Sequence, residues 1–443
     1  MCNGTIMDKL ISFSIPLMLS GILQLMFNAV DIVVVGRFSG SQALAAVGST
    51  TALINVFTNL FIGISLGANV LAARYYATGK TKEMSETVHT AIALALVSGV
   101  AMAVIGVVFA RGALEIMGTP DDVIAKSTLY MRIYFCGMPF FMMYNYGAAI
   151  LRAVGDTKRP LIFLIVSGVI NAVLNLFLVI GFHLDVAGVG IATVISQLVS
   201  CILVLRCLHH TESSYQLQLA KLRIRSVYLK QIFEVGVPAG IQSTVINISN
   251  AMLQSSVNSF GSIAMAGYTA SNNIFGFLYV SVNSFTQACM SFTSQNYGVK
   301  KLKRMDRVLI DCMILSVVVT LILGSSVYIF GPELLHIYSN QADVIKYGME
   351  IFSYTTVTYF LCGLMDLFPG ALRGMGYSTV PMILSIIGTV GVRIIWIYGL
   401  FPSHRSLTFL FLSYPVSWIA TIIMQVICYL IVRKKVHSRA AAV

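Results

Sequence analysis

Leu151-Arg152-Ala153-Val154-Gly155-Asp156-Thr157-Lys158-Arg159-Pro160 returns in outline as Leu372-Arg373-Gly374-Met375-Gly376-Tyr377-Ser378-Thr379-Val380-Pro381. Leu, Arg, Gly and Pro keep their places at an offset of 221, half of the 443-residue chain. Each copy lies between two long apolar stretches. Glycine suits a tight turn because it takes positive φ without steric cost. Proline suits the start of the next helix, where a missing N–H costs nothing. The segment reads as a helix–turn–helix joint built twice. The duplication runs further. Arg74-Tyr75-Tyr76-Ala77-Thr78-Gly79-Lys80 aligns with Gln295-Asn296-Tyr297-Gly298-Val299-Lys300-Lys301 at the same offset, and Pro16 aligns with Pro238 at 222.

Composition sets the solvent. Hydrophobic residues make up 57% of the chain and charged residues 10%, against about 25% charged in a soluble domain. So few charges cannot cover a water-facing surface. The chain is expected to be a multi-span membrane protein embedded in a lipid bilayer. Its 35 glycines suit close helix packing in lipid. No cleavable signal peptide is evident, because the apolar run from Leu10 is too long and leads straight into the fold. The eight cysteines form no CxxC and no Cys/His cluster, so they read as small buried thiols. No cofactor and no metal site is expected.

A helix needs about 20 apolar residues to cross a bilayer. Twelve such stretches are expected, near 10–34, 43–71, 87–110, 127–151, 160–181, 187–208, 232–257, 264–294, 308–330, 347–371, 379–400 and 407–431. They predict an all-α fold of two pseudo-symmetric six-helix bundles. The first takes residues 1–208 and the second 231–431, with a linker at 209–230 and a tail at 432–443. Under a cytoplasmic amino terminus, 22 of the 29 Lys and Arg residues fall on the inner side and six on the outer. Only Arg393 lies deep in a span. That bias predicts both termini in the cytoplasm of a plasma (inner) membrane protein. It also makes the net charge of +12 a topology signal rather than a mark of nucleic-acid binding. Six spans per half keep both copies in one orientation, a parallel repeat with a substrate site expected between the halves.

Pro16, Gln24, Asn28 and Asp31-Ile32-Val33-Val34-Val35-Gly36-Arg37 are similar to the first span of the multidrug and toxic compound extrusion (MATE) family. The two joints and the twelve-span count resemble the same family, over essentially the whole chain. The resemblance implies two six-helix bundles in a V, alternating access, and export of small organic cations against H⁺ or Na⁺. A monomer is expected.

Asp31 is the sharpest position. It lies about 5 residues, roughly 8 Å of helix, before the outer turn at Gly36. A carboxylate inside a span is costly and faces a cavity, a pathway or a partner. Apolar surroundings disfavour its charged form, which suits proton uptake. The structural alternative is an interfacial Asp paired with Arg37 or a helix end. The resemblance implies a coupling site here. Asn171 and Asn175, four apart, share one helix face, and Asn175 stands where part of the family carries a second acid. They line the site or simply bond between helices. Thr193 resembles a further cavity position.

The second half carries its clear mid-span acid at Asp366, a candidate second ion site that aligns with Asn145. Asp366 is alternatively the ion-pair partner of Arg393. A sharper use for Arg393 is contact with an anionic substrate or a lipid phosphate. Gln242, Asn247, Asn250 and Asn272 belong to an amide-rich face that should meet a wet cavity. Met26, Phe27, Met142, Met143, Tyr144 and Phe275 could line an adaptable apolar pocket, although packing is the commoner use of such residues. Gln24, Asn28, Asn145 and Asn247 complete the substrate-cavity candidates.

GxxxxGK[ST] is absent, so the sequence offers no phosphate-binding loop for ATP. No HExxH and no Ser/His/Asp order stands out, so a membrane-embedded enzyme is disfavoured. A lipid-linked oligosaccharide flippase of the wider superfamily needs a cleft with several cations, and only Arg393 is at hand. H⁺ is favoured over Na⁺, because Na⁺ wants several hard oxygens with net negative charge and the first bundle offers one firm carboxylate.

Overall fold

The computed structural model describes residues 1–441 of the chain. It is predominantly helical, with no strand among the described residues. The first half holds α1 (Ile6–Phe38), α2 (Ser41–Ala77), α3 (Thr81–Ile116), α4 (Asp121–Cys136), α5 (Met138–Val154), α6 (Lys158–Leu176) and α7 (Asp185–His209). The second holds α8 (Ser226–Asn258), α9 (Ser262–Gly298), α10 (Leu302–Ile329), α11 (Gly331–His336), α12 (Ala342–Thr355), α13 (Tyr359–Gly374), α14 (Thr379–Ser385), α15 (Val392–Ile395), α16 (Leu407–Phe411) and α17 (Ser413–Ala441).

Each of the twelve expected spans falls on a helical run, but several runs are interrupted. The fourth span breaks at Gly137 between α4 and α5. The tenth bends by 52° between α12 and α13. The fifth continues from α6 into a π-helical segment, Phe177–Gly181. The eleventh carries two such segments, Ile386–Gly391 and Trp396–Leu400, on either side of α15. Among the described residues, eight helices are long and apolar enough to cross a membrane, or nine with the bent pair taken as one span. The amide-rich α8 and α9 are not among them; every amide lowers the mean apolarity of its helix.

The duplicated joints are built alike. In the first, the Gly155 N–H donates to Arg152 O at 3.0 Å and the Asp156 N–H to Leu151 O at 2.9 Å, with Gly155 at φ +102°. In the second, the Gly376 N–H donates to Arg373 O at 2.8 Å and the Tyr377 N–H to Leu372 O at 2.9 Å, with Gly376 at φ +95°. Both are left-handed helix ends that satisfy otherwise orphaned carbonyls. The second repeated turn also matches, with Gly79 at φ +67° and its counterpart Lys300 at φ +57°.

The chain forms two compact units: Leu19–Gly240, and Met1–Met18 with Ile241–Val443. These differ from halves counted along the sequence, because α1 and α8 each contribute to both units. The change of unit comes about two residues after Pro16 and after Pro238. In the second-named unit, Leu10, Phe13 and Leu17 join the core of Phe285, Phe292, Leu367 and Leu372. Phe13 and Phe292 meet edge to face at 5.5 Å. In the first-named unit, the opening turns of α8 lie on α2 along a seam of glycines. A Cβ on Gly63 would meet Gly240 Cα at 2.2 Å, and one on Gly67 would meet Ile232 O at 2.1 Å. Such backbone approach is how helices associate where lipid removes the hydrophobic drive.

The expected linker is ordered. The Leu217 N–H donates back to Leu208 O at 2.9 Å, and the Gln218 N–H donates to His89 Nε2 at 3.0 Å. His89 Nδ1 faces Ser85 O at 2.6 Å. Arg223 and Arg225 both pair with Glu86.

The glycine seam sets a stability test. Gly67→Ala should lower the thermal unfolding midpoint of the purified protein, since overpacking against backbone costs about 1–3 kcal/mol. Gly48→Ala, in the same helix with nothing within 4 Å of the added Cβ, should be neutral or stabilise by up to ~1 kcal/mol. Equal midpoints for the two variants would remove the seam from the account.

Candidate functional site

In the unit Leu19–Gly240, four predicted residues come together. Asp31 of α1 accepts a hydrogen bond from Asn175 Nδ2 of α6. Asn175 Nδ2 also lies 3.2 Å from Asn171 Oδ1, one turn back. Asn171 Nδ2 reaches Thr193 Oγ1 of α7 at 3.5 Å, and that hydroxyl donates to Val189 O at 2.9 Å. A polar chain therefore runs from α1 through α6 to α7. Asn175 is fully buried, and its Oδ1 has no partner among the described residues. Asp31 and Thr193 are half-buried. The chain brings one carboxylate and a free amide oxygen to one place, with donors fixed on the other side.

The local folding follows from spacing. Asn171 and Asn175 share a face of α6 just before the π segment at Phe177–Gly181, and π segments gather at functional positions. Gln24, Asn28 and Asp31 follow one face of α1, and Gln24 and Asn28 are exposed. The sequence reading missed Tyr130 and Tyr134 of α4. Both lie close enough to Asp31 to feel its charge, and their rings are 6.2 Å apart. Their spacing of four was the available signal, but two tyrosines on an apolar helix are not distinctive.

The other candidates have separate settings. Met26 is 52% exposed on α1, whereas Met142 is fully buried in the core and packs rather than lines. The half-buried Asn145 spends its amide on Phe141 O of its own helix at 2.8 Å. In the other unit, Gln242 is buried and accepts from Arg373 Nη2 at 2.6 Å. Asn247 and Asn272 are exposed. Asp366 is half-buried, within the electrostatic reach of Arg373 and beside Tyr279.

The expected Asp366–Arg393 ion pair is not formed. Arg393 donates from Nη1 to Asn250 Oδ1 at 2.8 Å and from Nε to Ser417 Oγ at 3.3 Å, and lies 4.7 Å from the Tyr414 ring centroid. The neighbouring cation of Asp366 is Arg373, from the duplicated joint. Sequence separation could not distinguish these two arginines, because helix rotation decides which one the acid faces. Among the described residues, no group of three or more His, Cys, Asp or Glu could hold a metal ion.

Residues 16–177 and 238–398 each match the MatE family model, one match per sequence repeat. The chain belongs to the MatE family, and so is a multi-pass membrane transporter rather than an enzyme. It is similar to the probable multidrug resistance protein YoeA of Bacillus subtilis (strain 168), 30% identical over 391 residues that span 86% of this chain and 84% of that protein. It is also similar to the multidrug export protein MepA of Staphylococcus saprophyticus, 23% identical over 406 residues, 90% of this chain and 89% of that one. Its fold matches a solved Vibrio cholerae MATE transporter, VcmN, with a TM-score of 0.89 at 19% identity over 98% of this chain and 97% of the other.

The polar chain can be tested through stability. Asp31→Ala and Asn175→Ala, made singly and together, should show a coupling of about 0.6–2 kcal/mol in unfolding free energy, the range for polar bonds between membrane helices. Additive effects would show that the two side chains do not bond.

Proposed function

We propose that this transporter exports organic cations as a secondary antiporter driven by H⁺. The observation that carries the reading is the half-buried Asp31 carboxylate held by the Asn175–Asn171–Thr193 chain. Two relatives are named as a multidrug resistance protein and a multidrug export protein, which favours an efflux role. The absence of a phosphate-binding loop in the sequence favours an ion gradient as the energy source.

Asp31 can do two exclusive things. Ionised, it attracts an organic cation to a weakly polar site. Protonated, it has lost that attraction while an oxygen still accepts from Asn175. Proton and substrate thus compete for one carboxylate. Competition couples their movements, provided the two facing states differ in affinity for each. Tyr130 and Tyr134 offer hydroxyls near the acid for proton passage.

Na⁺ fits less well. One carboxylate, the free Asn175 Oδ1 and neutral neighbours leave little negative charge to offset dehydration. At Asp366 the nearby Arg373 already supplies a positive charge, which opposes a second cation. The charge bias of the sequence favours both termini in the cytoplasm of the plasma membrane. A monomer suffices, because one chain contains both repeats.

The test is efflux of a fluorescent organic cation from proteoliposomes under separately imposed pH and Na⁺ gradients. The pH gradient alone should drive the wild type. Asp31→Asn should abolish driven transport while keeping a normal unfolding midpoint. Full transport by that variant, or Na⁺-driven efflux that persists with an uncoupler and vanishes in Asp366→Asn, would reject the assignment.

A further inference from the structure

The two units place opposite charges near the first helix of each repeat, on different helices. In the unit Leu19–Gly240, α6 brings amides to an acid on α1. In the other unit, the repeat counterpart of α6 is the run from α14 through Leu400, and the counterpart of α1 is α8. There the charged residue is a base. Arg393 of α15 is held by Asn250 of α8, which aligns with Asn28 of α1 at the offset of 222 shown by the prolines. Arg393 sits between the π segments Ile386–Gly391 and Trp396–Leu400, a distortion that accompanies functional positions.

Arg393 is 3% exposed, and its guanidinium has no carboxylate within ion-pairing distance among the described residues. A guanidinium has five N–H donors and keeps its charge. Ser417 takes the Nε donor and Asn250 takes one from Nη1. Nη2 makes no hydrogen bond among the described residues and is not sealed off, so its donors stay open to a further acceptor. The Tyr414 ring covers the cation, and the Tyr414 and Tyr268 hydroxyls bond to each other at 2.8 Å. Tyrosine rings stabilise a cation, but they do not neutralise it. A buried cation left in this state is strongly unfavourable unless something anionic completes it.

We infer that Arg393 anchors an anion site in the unit of Met1–Met18 and Ile241–Val443, taking a carboxylate group of a small solute. The planar fork with donors on two nitrogens matches the two oxygens of a carboxylate. Access follows the amides of α8: Asn247 is exposed, and Asn250, one turn on, is half-buried against the guanidinium. Binding at this site does not depend on the efflux reading. If that reading holds, Arg393 extends the substrate class to compounds with a carboxylate beside their positive group.

The chain has two tryptophans, both next to this site. Trp396 is three residues from Arg393, and the Trp418 ring lies 5.6 Å from that of Tyr414. Tryptophan emission of the detergent-solubilised full chain, titrated with sodium butyrate, should change and saturate. The neutral analogue butyramide should give no change, and sodium chloride should neither reproduce nor displace the butyrate signal. Arg393→Lys should weaken butyrate binding roughly tenfold, because a point charge replaces the fork, and Arg393→Gln should remove it. A wild type silent to butyrate, an unchanged affinity in Arg393→Lys, or displacement by chloride would overturn the carboxylate assignment; the first and second stand even if Arg393→Gln does not fold. In proteoliposomes, Arg393→Lys should raise KM for a zwitterionic dye and leave its methyl ester unaffected. A wild type that exports neither dye would sink the efflux reading, while the titration still decides the anion site.

Discussion

Hydrocarbon offers the backbone no water to bond, and the rest of this structure depends on that. Each N–H and C=O must find its partner within its own segment, so every expected span of the described chain is helical. Departures from regular helix are costly there and therefore informative. They fall at Gly137, at the bend between α12 and α13, and at three π segments. Two of the π segments flank Arg393 and the third follows Asn175. Asn175 and Arg393 lie beside irregular helix, whereas Asp31 sits in the uninterrupted α1.

The same solvent explains the glycines. In water, apolar faces press helices together; in lipid, close contact itself must hold them. Gly63, Gly67, Gly236 and Gly240 allow backbone-to-backbone approach between α2 and the first turns of α8. Gly155 and Gly376 serve differently, supplying positive φ where two helices stop and restart. The sequence distinguishes these uses only where the second lies in a repeated segment.

Much of the fold was legible. A 221-residue offset, with glycine and proline at fixed places, marked the duplication, and the hydrogen bonds of both joints agree closely. The acid–amide cluster was legible too, because a lone carboxylate in an apolar run and an i,i+4 asparagine pair are rare in hydrocarbon. Less legible was anything set by helix rotation. Sequence could not tell whether Asp366 faces Arg393 or Arg373, nor that Met142 is buried while Met26 is exposed. The division of α1 and α8 was also hidden. A proline marks a missing donor, but which neighbours the helix joins on either side depends on three-dimensional packing.

That division bears on how such a chain came to exist. Each of the two repeats lends the opening turns of its first helix to a compact unit made mostly by the other. The first repeat on its own would leave the glycine seam of α2 uncovered and the opening turns of α1 without the core they join. Two copies trading those segments would have completed each other, as a swapped dimer does. Fusing the genes then joins parts that were already mutually dependent. Once fused, the copies could diverge in charge, an acid kept in one and a base in the other, without losing the shared scaffold.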